Sequence, residues 1–353
     1  MRIKELQEFM KENKIDICIF ANNSLNKKDP NLAYFSQMDI EYATLVISRK
    51  DEFLFVSPLE YEKARKSSYI KNIQVPKKKL SLSLKNKFNK PKKIGINKKI
   101  TSLYEYEQLK KVFKQAKFVD VSEECSLLRI KKTKTEIKYI KEACRLADSV
   151  IQKLIDNFKF RTEAEIAAFI DDEIKKGGNV PSFSTIVASG RNASQPHYAP
   201  QDEILQKGFC VIDFGIRYKN YCSDMTRTIF IGKASGRDKT IYNMLLKAQA
   251  ESISQINEGI ECKRLDNFVR KSLKGYSKNF IHGLGHGIGV EIHEAPNISY
   301  KANGCLKNGM VFTVEPGIYL KNRLGIRIED DILLDKKPVV LTKTTKELLE
   351  FRI

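Results

Sequence analysis

The chain holds only four histidines in 353 residues, and no apolar run approaches the ~18–20 residues a membrane-spanning helix needs. Its first stretch, Met1–Phe20, is charged and carries only a short apolar run, Ile15–Phe20. That is not the pattern of a secretory signal. The cysteines (Cys18, Cys125, Cys144, Cys210, Cys222, Cys262 and Cys305) are odd in number and include no Cys-x-x-Cys pair. This excludes a disulfide framework or a thiolate zinc site and predicts free thiols in a reducing cytoplasm. A P-loop, a nucleophile elbow and a His-Glu-x-x-His helix are also missing. The glycine run 283–289 fails the Gly-x-Gly-x-x-Gly spacing because position 288 is Ile, so nucleotide binding has no support. Acid is in deficit: 63 Lys and Arg stand against 43 Asp and Glu, a net charge of +20. The lysines spread along the whole chain, with local clusters only at Lys77–Lys79 and Lys90–Lys99. No aromatic-interleaved basic motif appears among them. We read a solvated lysine-rich surface rather than a nucleic-acid or membrane-binding face.

The few histidines are confined to two short stretches. His197 lies in Ser189–Tyr198, and His282, His286 and His293 crowd into one glycine-rich segment. Imidazole ligates metals and moves protons near neutral pH. Its confinement predicts one site, and a metal site. The i, i+4 pair His282 and His286 would be a zinc pair on a helix, but Gly283, Gly285, Gly287 and Gly289 argue against a helix there.

The hydrophobic fraction, 42%, suffices for sizeable cores, and the length predicts two domains. Residues 1–125 alternate helix and strand signals, with strands expected at Ala43–Ser48, Glu52–Val56 and Lys93–Ile96, and form an α/β domain without visible chemistry. Residues 126–353 carry capping boxes at Thr133-x-x-Glu136 and Thr162-x-x-Glu165. Two helices and then strands follow, and that order repeats once. The expected strands are Phe209–Ile216, Asn220–Ile231, Met310–Tyr319 and Gly325–Leu334.

Carboxylates interrupt these apolar strands. Asp213 and Asp224 fall on adjacent runs joined by a turn at Arg217–Asn220, close enough to share an ion. Glu315 and Glu329 repeat the device around Leu320–Leu324, and His286 can supply a nitrogen. A buried carboxylate needs a cation or a strong hydrogen-bond partner. Four carboxylates and one imidazole balance two divalent ions of the Mn²⁺, Co²⁺ or Zn²⁺ type. Such a pair of ions can share a bridging hydroxide as nucleophile.

Six motifs together resemble a known family. Pro-His-Tyr, Asp-Phe-Gly, Ser-Asp-Met-Thr-Arg-Thr, His-Gly-Leu-Gly-His-Gly-Ile-Gly, Val-Glu-Pro-Gly-Ile-Tyr and Arg-Ile-Glu-Asp-Asp look like the set of the "pita-bread" metallopeptidases. These include Xaa-Pro aminopeptidase (aminopeptidase P) and prolidase, and the N-terminal segment resembles their creatinase-type domain. The resemblance implies an α/β domain followed by an α+β pita-bread domain. It makes Asp213, Asp224, His286, Glu315 and Glu329 the metal ligands, with Asp224 and Glu329 bridging. It gives Glu315 an acid/base role. His197 and His293 match positions that contact the substrate carbonyl, His282 a further active-site histidine, and Arg327 an arginine behind the ligands. Proline-containing peptides would be the substrates and a homodimer the assembly, with Mn²⁺ the first choice of metal. Of the two proline-specific activities, aminopeptidase P is placed first and prolidase second. Methionine aminopeptidase fits less well, because the last ligand motif differs. A metal-free creatinase would have lost the ligands. A non-enzymatic binding protein on the same fold would be expected to show broken ligands, and none is broken.

Overall fold

A computed structural model describes residues 2–23, 28–77 and 79–352. Lys78, in the middle of one lysine cluster, lies outside the described residues. The chain forms two compact units, Met1–Arg129 and Ile130–Ile353. Among the described residues no helix is long and apolar enough to cross a membrane.

The first unit is built on a six-stranded mixed sheet. Its order is Ile73–Gln74, Glu52–Val56, Ala43–Ser48, Ile17–Asn22, Lys93–Ile96 and Lys117–Asp120. Central strand Ile17–Asn22 is almost wholly buried, which explains its near-continuous apolar run. Helices Pro30–Ser36 and Leu80–Lys87 were not expected from the sequence. The second is a short helix with a weak apolar stripe, the kind that tertiary packing rather than periodicity specifies.

The second unit carries the repeat. Helices Lys134–Asp156 and Glu163–Lys176 both begin at the expected capping boxes, with each Ser/Thr–Glu exchange complete. They cover a sheet ordered Glu350–Phe351, Met225–Ile231, Gly208–Phe214 and Ile186–Ser189. Helices Gly236–Ser254 and Cys262–Ser272 then cover a second sheet, Glu294–Ile298, Gly285–Gly287, Val311–Val314, Asp330–Asp335 and Lys337–Val340. All seven cysteines are free thiols, six of them buried.

The expected strands exist, but most are broken. Asn220–Ile231 divides into Tyr221–Cys222 and Met225–Ile231. Met310–Tyr319 divides into Val311–Val314 and Gly317–Leu320, and Gly325–Leu334 into Leu324–Arg327 and Asp330–Asp335. Three of the breaks fall at Asp224, Glu315 and Glu329. There the backbone N–H leaves its ladder. Asp224 N–H donates to the Asp331 carboxylate at 2.9 Å, Glu315 N–H to Leu284 O at 2.8 Å and Glu329 N–H to Thr226 O at 3.2 Å. Each carboxylate thus sits where a strand changes partners, and apolar periodicity cannot register that change.

Candidate active site

The glycine segment is extended, not helical. Gly285–Gly287 is a strand between Glu294–Ile298 and Val311–Val314. A Cβ on Gly285 would stand 2.0 Å from Thr313 O, and one on Gly287 2.1 Å from Ala295 O. Glycine lets the backbones approach, and that approach delivers His286. The His286 Nδ1–H faces Gly287 O at 3.1 Å. This tautomer leaves the Nε2 lone pair free, 3.3 Å from Glu315 Oε1 and 3.6 Å from Asp224 Oδ2. Donor atoms of Asp224, His286 and Glu329 all lie within 4.8 Å of one another.

The carboxylates are held by neighbours on both sheets. Met225–Ile231 pairs antiparallel with Gly208–Phe214, setting Asp213 opposite Thr226 and Asp224 at the strand's edge. Thr226 Oγ1 donates to Glu329 Oε2 at 2.6 Å and accepts from Arg327 Nε at 2.9 Å. Arg327 also donates to Asp213 Oδ2 at 2.5 Å and to the Tyr319 hydroxyl at 2.8 Å. The Tyr319 hydroxyl lies 3.0 Å from His282 Nε2, while His282 Nδ1 faces Gly283 O at 2.8 Å. One arginine therefore links Asp213, Glu329 and His282. Thr313 Oγ1 accepts from His286 N and donates to Glu315 Oε1. His293 packs edge-on against His286, with ring centroids 4.4 Å apart. His197 is exposed and close enough to His282 and His293 to be felt electrostatically by both.

Every residue singled out from the sequence thus lies at or beside one cluster. Tyr319, Thr226, Thr313 and Asp331 were missed. Tyr319, Thr226 and Asp331 belong to the quoted motifs. Their signal was present, but nothing in a linear sequence says which hydroxyl meets which carboxylate.

The cluster is electrostatically incomplete. Asp213 Oδ1 is buried with no hydrogen-bond partner among the described residues. Burial, with Glu329 and Asp213 nearby, pushes the Asp224 carboxyl well above its ordinary range. Burial, with Glu315 and Asp213 nearby, does the same to Glu329. Glu315 is pushed up to about 8, chiefly by burial and then by Asp213, against the opposing pull of Arg327. Burial pulls both His282 and His286 down to about 4. Crowded oxygens, a neutral imidazole with a free lone pair and no thiolate form a donor set that fits divalent cations.

A pH dependence follows for the ion-free protein. Carboxyls raised in the folded state cost stability as pH rises from their ordinary values toward the raised ones. Histidines lowered in the folded state act oppositely, but only below their ordinary value of 6.5. Between 6.5 and about 8 the carboxyls, Glu315 among them, act alone. Stability in EDTA should fall by about 1–2 kcal/mol across that window, and excess Mn²⁺ should flatten the slope. Urea midpoints at the two pH values check this. A flat or rising ion-free profile would contradict it.

Comparison with known proteins agrees with the geometry. Residues 138–336 match the model of metallopeptidase family M24, and residues 2–131 that of the creatinase/prolidase N-terminal domain. The Xaa-Pro dipeptidase of Pyrococcus horikoshii is 36% identical over 355 residues, covering 99% of this chain and 98% of that one. The crystal structure of the prolidase from Pyrococcus horikoshii has a TM-score of 0.91 at 35% identity and covers 99% of both chains. The X-Pro aminopeptidase from Thermotoga maritima has a TM-score of 0.88 at 31% identity, covering 96% of this chain and 98% of that one.

Proposed function

Because this chain belongs to metallopeptidase family M24, with a creatinase/prolidase N-terminal domain, we propose that it is a metal-dependent Xaa-Pro dipeptidase. The cluster around His286 supports the reaction. Full-length similarity to a protein named Xaa-Pro dipeptidase supports the specificity. That similarity reverses the order taken from the sequence, in which aminopeptidase P stood first. The Thermotoga maritima X-Pro aminopeptidase keeps that activity as the second reading.

In this reading Asp213, Asp224, His286, Glu315 and Glu329 would hold two divalent ions. Mn²⁺ is the first choice, and Co²⁺ and Zn²⁺ have compatible chemistry. Bound there, the ions would acidify a water and polarise the scissile carbonyl. The chain does the rest. Glu315, 3.3 Å from His286 and 3.7 Å from His282, takes the proton of the attacking water and passes one to the proline nitrogen. That nitrogen carries no hydrogen of its own before cleavage, so its protonation must be arranged. His197 and His293 donate to the carbonyl oxygen as charge develops on it, an effect worth ~3–4 kcal/mol per donor. Arg327 and Tyr319 fix Asp213 and His282. The seven free thiols support a reducing compartment, the cytoplasm.

The test sets a Xaa-Pro dipeptide beside a Xaa-Pro-Yaa tripeptide, with metal-stripped protein and with added Mn²⁺. Mn²⁺-dependent cleavage of the dipeptide, with the tripeptide left intact, is expected. Cleavage of the tripeptide before proline would install aminopeptidase P instead. If no divalent ion restored cleavage of either, the peptidase reading would fall.

A further inference from the structure

His197 is exposed on a turn and makes no hydrogen bond of its own among the described residues. An imidazole that must meet a developing charge cannot wander, so something else has to fix its backbone. The segment 189–201 that carries it is tied down on both sides by one buried carboxylate. Glu163, the first residue of helix Glu163–Lys176, is 1% exposed and has no ion pair among the described residues. Its Oε1 accepts from Ser189 N–H at 2.7 Å, Ser189 Oγ at 2.8 Å and Asn192 Nδ2 at 3.1 Å. Its Oε2 accepts from Gln201 N–H at 3.4 Å. The Tyr198 hydroxyl stands beside the same carboxylate and accepts from Asn192 Nδ2 at 2.9 Å. Residues 189 and 192 lie before His197, and 198 and 201 lie after it.

This is more than the helix start requires. Thr162 and Glu165 already complete the capping box. Burying a further carboxylate is costly unless its donors are supplied, and here they come from the His197 segment. The tip of the segment is clamped from its other side. Ser194 Oγ accepts from Asn322 N–H at 3.2 Å, and a Cβ on Gly325 would stand 1.6 Å from Ala193 O. The hairpin Gly317–Leu320/Leu324–Arg327 thus abuts the same turn, and it also carries Tyr319 and Arg327.

We propose that Glu163 is a positioning residue that sets His197 toward the substrate carbonyl. The inference rests on the role given to His197 above. Glu163 touches no substrate and acts only through the segment it holds.

A double-mutant cycle in the Mn²⁺-loaded full chain tests it, with Xaa-Pro dipeptide hydrolysis, metal content and melting temperature read together. Glu163→Gln keeps the shape but turns one acceptor into a donor facing donors. It should lower kcat by ~10–100-fold with KM and metal content little changed. In a His197→Ala background the same substitution should cost less than about threefold, because the group it positions is gone. An equal loss in both backgrounds would overturn the proposal and make Glu163 purely structural. His197→Ala at wild-type activity would instead refute the role of His197. If Glu163→Gln does not fold, Tyr198→Phe with Asn192→Ala replaces it in the same cycle. Non-additivity with His197→Ala is again the supporting result, and additivity the overturning one.

Discussion

Glu315→Gln is expected to lower kcat by about 10²–10⁴-fold, the usual worth of a general acid/base, while making the ion-free protein more stable. The two effects have opposite signs because they draw on the same carboxylate in different states. On the proposed reading, the Mn²⁺-loaded variant lacks its proton carrier and one cation ligand. Stripped of ions, it loses one of several buried carboxylates that repel one another. Burial and Asp213 already push Glu315 up to about 8, so at that pH a neutral side chain relieves the strain. Thr313 Oγ1, 3.3 Å from Oε1, can still donate to the Gln carbonyl oxygen, so no buried hydroxyl is orphaned. The gain should appear as ~2–4 °C in Tm for each kcal/mol relieved. Thermal melts in EDTA at pH 8, beside dipeptide hydrolysis with Mn²⁺, measure both. Activity within threefold of wild type would remove Glu315 from the chemistry. A lower ion-free Tm would show that its packing outweighs the repulsion.

The second large effect lies away from the chemistry. Lys132 Nζ meets Glu294 Oε1 at 2.7 Å, with the two side chains 1% and 2% exposed. A buried pair is poor evidence for net stability, yet removing Lys132 takes away the cation that balances the buried Glu294 carboxylate. Lys132→Met should therefore cost about 3–5 kcal/mol. The acid lies close against Gly289: a Cβ there would stand 2.0 Å from Glu294 Oε1 and push the carboxylate aside. Glu294 is the neighbour of His293 and pairs with Gly287 across the irregular ladder beside His286. The damage should thus reach activity as well. Replacing both partners, Lys132→Met with Glu294→Leu, should recover most of the lost stability, because no charge is left behind. Urea unfolding of the single and double variants decides this. A single variant within about 1 kcal/mol of wild type would mean that the charge of Glu294 is balanced without Lys132.

Much of this was legible in the sequence, for definite reasons. Ala43–Ser48, Glu52–Val56 and Lys93–Ile96 could be read to the residue because apolar β-rich runs end at charges or turn residues. The turn at Arg217–Asn220 was readable too: Lys219 and Asn220 both adopt positive φ, as a tight hairpin turn demands. The acids and imidazoles stood out because a charge inside an apolar strand is expensive. What stayed hidden is how residues distant in sequence combine. Gly285 and Gly287 are small because Thr313 and Ala295 press on them, and no local pattern contains that pressure. Glu163 reads as an ordinary first-turn acid until the segment it holds is seen. The choice between two proline peptidases depends on the space around the substrate, and it was the relatives that weighted it.

The joins across this centre span long stretches of chain. Arg327 and Asp213 are 114 residues apart, Asp224 and Asp331 are 107, and Thr226 and Glu329 are 103. Closing a loop of about a hundred residues costs ~4 kcal/mol of chain entropy. The first of these contacts bears nearly all of that cost, and the others follow with little more. Once one of them closes, the remaining joins between the halves are entropically cheap, so they stand or fall together. Each half can pair its own carboxylates locally, but the joins between the halves exist only once that long closure is made.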